Sequence, residues 1–93
     1  MSEAELKAEV LKVAYQNGWI VFQMAMDRQR RPGKAASGYP DLTLARDGEC
    51  LWIELKTQDG QQSAEQRVWQ AALPAYHVIR PSDLEGRVLE LLT

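Results

Sequence analysis

A small α/β domain built on a mixed sheet is the fold class this sequence predicts, and three observations predict it. Asp47-Gly48 sits between two alternating apolar runs, Asp41–Arg46 and Cys50–Lys56. A two-residue type I′ turn needs φ > 0 at both central positions, and this dipeptide supplies it, so the runs form a hairpin. A helical segment then separates the hairpin from another short strand, Tyr76–Ile79. A helix between two strands of one sheet is a crossover, and it brings in a parallel neighbour. The chain also opens on an amphipathic helix, with Leu6, Val10, Val13, Ala14 and Asn17 on one stripe. The order is α-β-β-β-α-β-α, a small mixed sheet with helices on both sides.

Each element has its own local cause. Ser2 and Glu5 make an S-x-x-E capping box for a helix over 3–17, and Gly18 stops it. Trp19-Ile20-Val21-Phe22 is a strand continuing to about Ala25. Asp27–Ser37 is polar and basic, holds Pro32 and Gly33, and is expected to be a loop. Ser63, with Gln66 three residues on, caps a helix from Ala64 to about Leu73, beyond which stands Pro74. Pro81-Ser82 opens the last helix, with Ser82 and Glu85 as its box and Leu84, Val88 and Leu91 on one face.

Composition bounds the function. Ninety-three residues make a single domain over 1–93 with a modest core, for which oligomerisation is a common remedy. Cys50 is the single cysteine, so no internal disulfide forms, in keeping with a reducing, intracellular setting. The N-terminus lacks the basic-then-apolar pattern of a secretory signal, and no apolar run has the ~20 residues of a membrane span. The formal charge of −2 argues against a generic, charge-driven nucleic-acid binder. His77 is the only histidine, which leaves a Cys/His zinc site or a Cys-His dyad nothing to build with. No G-x-x-x-x-G-K phosphate loop occurs.

The hairpin register points to the chemistry. With the turn at Asp47-Gly48, Thr43 faces Trp52 and Asp41 faces Glu54 across the strands. Glu54 and Lys56 then share a face with Asp41, while Leu42, Leu44, Leu51, Ile53 and Leu55 take the other. Two carboxylates directly opposite each other repel. A divalent cation between them removes that cost, and Lys56 beside them is placed to orient a water or offset charge on a phosphate. Taken alone, Lys56 is equally an ordinary solvated lysine. Glu3 shares the stripe of Leu6, Val10 and Ala14, where an acid needs a partner, so it is a candidate further metal carboxylate; the plainer alternative is a helix-end acid frayed into water. Gln66 completes the S-x-x-Q box at Ser63 and also shares a helix face with Trp69 and Leu73, so a capping role and a second role are both open to it. Arg28, Arg30, Arg31 and Lys34 fall within seven positions and suit phosphate gripping, or simply a solvated loop. Tyr39 and Trp52 are expected to pack rather than stack on a nucleobase, Trp69 to join the core, and His77 to be structural.

The series Gly38-Tyr39-Pro40-Asp41, Ile53-Glu54-Leu55-Lys56 and Gly60-x-x-Ser63-x-x-Gln66-x-x-Trp69 resembles the PD-(D/E)xK nuclease superfamily, and within it the VRR-NUC domain in its stand-alone phage and bacterial form. The likeness runs from Glu3 to Asp83. It implies a restriction-endonuclease-like α-β-β-β-α-β core with an added C-terminal helix. By resemblance, Asp41 and Glu54 are metal ligands joined by the Leu55 carbonyl, Lys56 is the catalytic lysine, Gln66 is the glutamine of the following helix and Glu3 the acid of the first. The implied activity is Mg²⁺- or Mn²⁺-dependent hydrolysis of DNA phosphodiesters on Holliday-junction or other branched DNA, by a C₂ homodimer in the cytoplasm of a bacterium or from a phage. The alternatives are a non-catalytic DNA-binding or assembly module with a nuclease fold, and a nuclease subunit that needs a larger partner. The chain departs from the pattern at Lys7, where glutamine is common, in the short Leu73–Tyr76 link, and in the long 27–37 segment.

Overall fold

The computed structural model describes residues 1–24 and 38–93. Its elements run α1 (Glu3–Gln16), β1 (Ile20–Gln23), β2 (Leu42–Arg46), β3 (Glu49–Leu55), α2 (Ala64–Ala72), β4 (Tyr76–Ile79), a 3₁₀ turn (Pro81–Asp83) and α3 (Arg87–Leu92). The strands lie in the order β1-β2-β3-β4. The first three pair antiparallel, and β4 joins β3 in parallel after the α2 crossover. This is the predicted small mixed α/β sheet with a C-terminal helix. The basic residues Arg28, Arg30, Arg31 and Lys34, the expected 27–37 loop and the end of β1 at Ala25 lie outside the described residues.

The β2–β3 register is the expected one, with Thr43 opposite Trp52, Ala45 opposite Cys50 and Arg46 opposite Glu49. The turn sets it: Asp47 has φ 49° and Gly48 φ 82°. Alternation then sorts the side chains. Leu42, Leu44, Leu51, Ile53 and Leu55 are all buried, with Leu6, Val10 and Ala14 of α1 and Val88 and Leu92 of α3 packed into the same core. The first and last helices therefore share the leucine face. The opposite face carries Trp52 and Glu54 and is approached by α2, whose Gln66 reaches Glu54. No α2 residue is fully buried. Trp69 meets the ring of Tyr39 edge-on at 4.9 Å and 79° instead of entering the main core.

Both predicted capping boxes that open α1 and α2 form, Ser2 with Glu5 and Ser63 with Gln66. The third does not. Asp83 accepts the Arg80 backbone N–H at 2.8 Å and starts a 3₁₀ turn, after which α3 begins only at Arg87. Ser82 spends both its backbone N–H and its hydroxyl on the Gln58 amide, far away in sequence.

The α1–β1 corner is tied to α3 by polar contacts. The Trp19 Nε1–H donates to the Leu92 carbonyl at 2.9 Å, and Arg46 lies 4.2 Å over the Trp19 ring. The Arg46 guanidinium also donates to the carbonyls of Asn17 (3.0 Å) and Leu92 (3.3 Å). Arg46→Ala leaves two carbonyls short of a donor and uncovers the indole, so it is expected to destabilise by about 1–3 kcal/mol. Urea unfolding checks this, and an unchanged midpoint would show the cluster to be ornamental.

Candidate metal centre

The centre is assembled where β2 begins, where β3 ends and where α2 starts. Pro40, fully buried, fixes the chain entering β2. Asp41, just before the strand, turns its Oδ2 to accept the Leu55 backbone N–H at 2.8 Å. Glu54 is one residue earlier on β3 and only 2% exposed, the one buried charged or polar residue of the described core. Its Oε2 accepts the Gln66 Nε2–H at 2.5 Å. Gln66 does so while its Oε1 accepts the Ser63 N–H at 2.8 Å, so one side chain caps α2 and holds the acid. Capping and site contact are a single conformation, both of the roles open to it in the sequence.

Electrostatics give the pair its character. Burial pushes the Glu54 carboxyl up to about 9, and Asp41, facing it within hydrogen-bonding reach, adds to the rise; Lys56 opposes it and Glu3 contributes a little more. At neutral pH Glu54 therefore keeps its proton, which relieves the repulsion of facing carboxylates as a cation would. Tyr76, opposite Trp52 in the parallel register, brings a buried hydroxyl with no hydrogen-bond partner of normal geometry to this face. Burial and then the Glu54 charge push it up to about 12, with the nearby Gln62 amide pulling slightly the other way.

These residues suit a hard divalent ion. Each carboxylate has one oxygen held by a protein donor, Leu55 N–H for Asp41 and Gln66 for Glu54. The second oxygen of each is a hard donor of the kind Mg²⁺ and Mn²⁺ accept, and the Leu55 carbonyl, the third ligand the resemblance implies, would complete an all-oxygen set with waters and substrate. Among the described residues no three acidic, histidine or cysteine side chains converge tightly enough to hold a metal by themselves. Glu3 is exposed, which corrects the expectation of an acid on the buried part of the stripe, because that part begins only at Leu6. It nevertheless lines a cavity of about 260 Å³ with Ala4, Lys7, Asp41 and Leu55.

The other candidates sort cleanly. Lys56 is partly buried, and its backbone N–H continues the parallel ladder by donating to the Ile79 carbonyl at 3.0 Å. Tyr39 and Trp52 pack: the Trp52 Nε1–H donates to the Tyr39 hydroxyl at 2.9 Å, which also lies 3.2 Å from the Thr43 hydroxyl. His77 is opposite Ile53, on the face away from the carboxylates, and its Nδ1 is 3.2 Å from Arg87. Burial and then the Arg87 cation hold it below the ordinary histidine range. Arg80, given no role from sequence, donates to the carbonyls of Thr57 (2.8 Å), Gln58 (3.3 Å) and Gly60 (2.6 Å) and so clamps the loop between Lys56 and α2. Lys7 and Tyr76 also enter the site's surroundings unassigned. Lys7 was detectable, standing one helical turn after Glu3; Tyr76 was not, because the crossover register is absent from local pattern.

No family model matches the chain, and no solved structure matches it significantly. Over 71 residues the chain is 39% identical to porphobilinogen deaminase of Streptococcus sanguinis (strain SK36), which covers 74% of this chain and 22% of that protein. The chain thus spans 22% of the length of the curated relative it matches. Among the described residues no helix is long and apolar enough to cross a membrane.

Proposed function

We propose that this chain is a divalent-metal-dependent DNA endonuclease of the VRR-NUC type within the PD-(D/E)xK superfamily. The observation that carries the proposal is the buried Glu54 facing Asp41, each with one oxygen pinned by the protein, and Lys56 two residues on. A binding module has no use for opposed carboxylates whose repulsion must be offset by a proton or a cation. The activity in the relative's name is not adopted, since the match covers 22% of that protein.

A bound Mg²⁺ or Mn²⁺ would supply an activated water and positive charge at the scissile phosphate. The chain's own residues do the rest. Asp41 and Glu54 offer the oxygens, the Leu55 N–H and the Gln66 amide fix their orientation, and the Arg80 clamp keeps the loop after Lys56 in place. The Lys56 ammonium donates to the water or to a phosphate oxygen, where it offsets the charge that grows during cleavage. Branched DNA as the preferred substrate, a C₂ homodimer that presents two sites, and an intracellular bacterial or phage setting belong to the same proposal.

The test is incubation with a labelled four-way junction, a flap, duplex and single-stranded DNA, with and without Mg²⁺ or Mn²⁺, beside Lys56→Ala. Metal-dependent cutting that falls by about 10²-fold or more in the variant is expected. Binding without cutting of any substrate would instead leave a DNA-binding module or a subunit awaiting its partner.

A further inference from the structure

Lys7 stands one helical turn after Glu3 and lines the same cavity, with Asp41 and Leu55 across from it. It is partly buried. Among the described residues its ammonium has neither an ion-pair nor a hydrogen-bond partner, although two carboxylates share its cavity. A surface lysine on a helix ordinarily points into water or pairs with an acid one turn away. This one does not pair with Glu3, and it lines an open cleft of about 260 Å³, several times the ~30 Å³ share of one water. A phosphate group fits there.

Charge balance says what such a lysine does. With a divalent ion on the Asp41–Glu54 pair, the carboxylates of Asp41, Glu54 and Glu3 face that ion and the ammonium groups of Lys7 and Lys56. One positive charge is left over, and a single phosphodiester neutralises it. Without Lys7 the loaded site is already neutral, and an arriving phosphate makes it negative beside the buried Glu54, where uncompensated charge is costly.

We propose that Lys7 contacts the DNA phosphodiester held in this cavity, as a substrate-binding residue supplied by α1. The assignment rests on the nuclease reading and extends it to a residue outside the Asp/Glu/Lys motif. A flexible four-carbon stem carrying a compact charge suits this role, because the phosphate moves as the strand is cut.

Fluorescence anisotropy of a labelled four-way junction in Ca²⁺ over a range of salt, with Lys7→Gln and Lys7→Arg beside the wild type, tests it. Lys7→Gln is expected to bind about 3- to 10-fold more weakly. Its plot of log affinity against log salt should be shallower by about 0.9, the loss of one phosphate contact. Lys7→Arg, which keeps the charge, should retain most of the affinity and the slope, which separates charge loss from misfolding. A wild type that binds and cuts while Lys7→Gln matches it in affinity and slope overturns the Lys7 assignment alone. A wild type that binds no DNA overturns it together with the nuclease reading.

Discussion

Glu54→Gln is expected to abolish metal-dependent cleavage and, in the same molecule, to stabilise the metal-free fold at alkaline pH. The two effects share one cause. Glu54 holds its proton up to about pH 9 in the folded chain, first because it is buried and second because Asp41 faces it. In the unfolded chain it releases that proton near the ordinary ~4.3. Between those values the native state carries a proton that the unfolded state has lost, so stability falls as pH rises. The contribution is fully present below about pH 4.3 and gone above about pH 9. The ceiling on the slope is about 1.4 kcal/mol per pH unit. Across the whole window this rivals the ~5–15 kcal/mol that holds a small domain together. Glutamine keeps the shape and carries no charge, so the variant's urea midpoint should stay level from pH 5 to 9 while the wild type's declines. A wild-type midpoint independent of pH would refute the protonated Glu54.

Metal binding is the other half of that linkage. In the proposed nuclease a cation on the pair must displace the Glu54 proton, so uptake is expected to release about one proton and apparent affinity to rise up to tenfold per pH unit below 9. Saturating Mg²⁺ should flatten the wild type's stability profile and leave that of Glu54→Gln unchanged. Calorimetry in two buffers of different ionisation enthalpy counts the proton directly. Metal uptake without proton release would mean that the ion binds elsewhere.

What could be read from sequence follows how local each determinant is. The facing of Asp41 and Glu54 was legible because one dipeptide, Asp47-Gly48, sets the register of every pair in the hairpin. The caps of α1 and α2 were legible because each closes within four residues. The start of α3 was misread because Ser82 is engaged by Gln58 from another part of the chain, leaving Asp83 to cap the turn. Arg80 and Tyr76 were invisible as site residues for the same reason. Their positions depend on the parallel pairing of β3 with β4, which no short motif encodes. Glu3 was placed on the right stripe but one turn beyond its buried part, since periodicity gives a direction around a helix and says nothing of where the sheet beneath it ends.

Gly38→Ala is expected to be the most damaging added methyl among the glycines of the described residues, with a loss of about 2–5 kcal/mol and most of the activity. Gly38 has φ 80°, where a side chain strains the backbone. A Cβ there would stand 2.6 Å from the Glu65 carbonyl carbon and 2.7 Å from the Gln66 nitrogen. Both are backbone atoms of the first turn of α2, so no rotamer change relieves the clash and the helix itself must move. That turn carries Gln66, whose amide holds Glu54, and it stands beside the Tyr39–Trp69 edge contact. The Gly38-Tyr39-Pro40-Asp41 run is thus a docking device for α2 as much as the carrier of the proposed ligand Asp41. Glycine admits α2, tyrosine braces it through Trp69 and Trp52, buried proline fixes the chain, and aspartate arrives opposite Glu54. If the methyl is accommodated, urea unfolding will show a shift under about 0.5 kcal/mol and the close approach of the loop to α2 is not a constraint. If instead the fold survives and cleavage is lost, raised Mg²⁺ should recover part of the rate. A displaced Gln66 loosens Glu54 without removing either carboxylate.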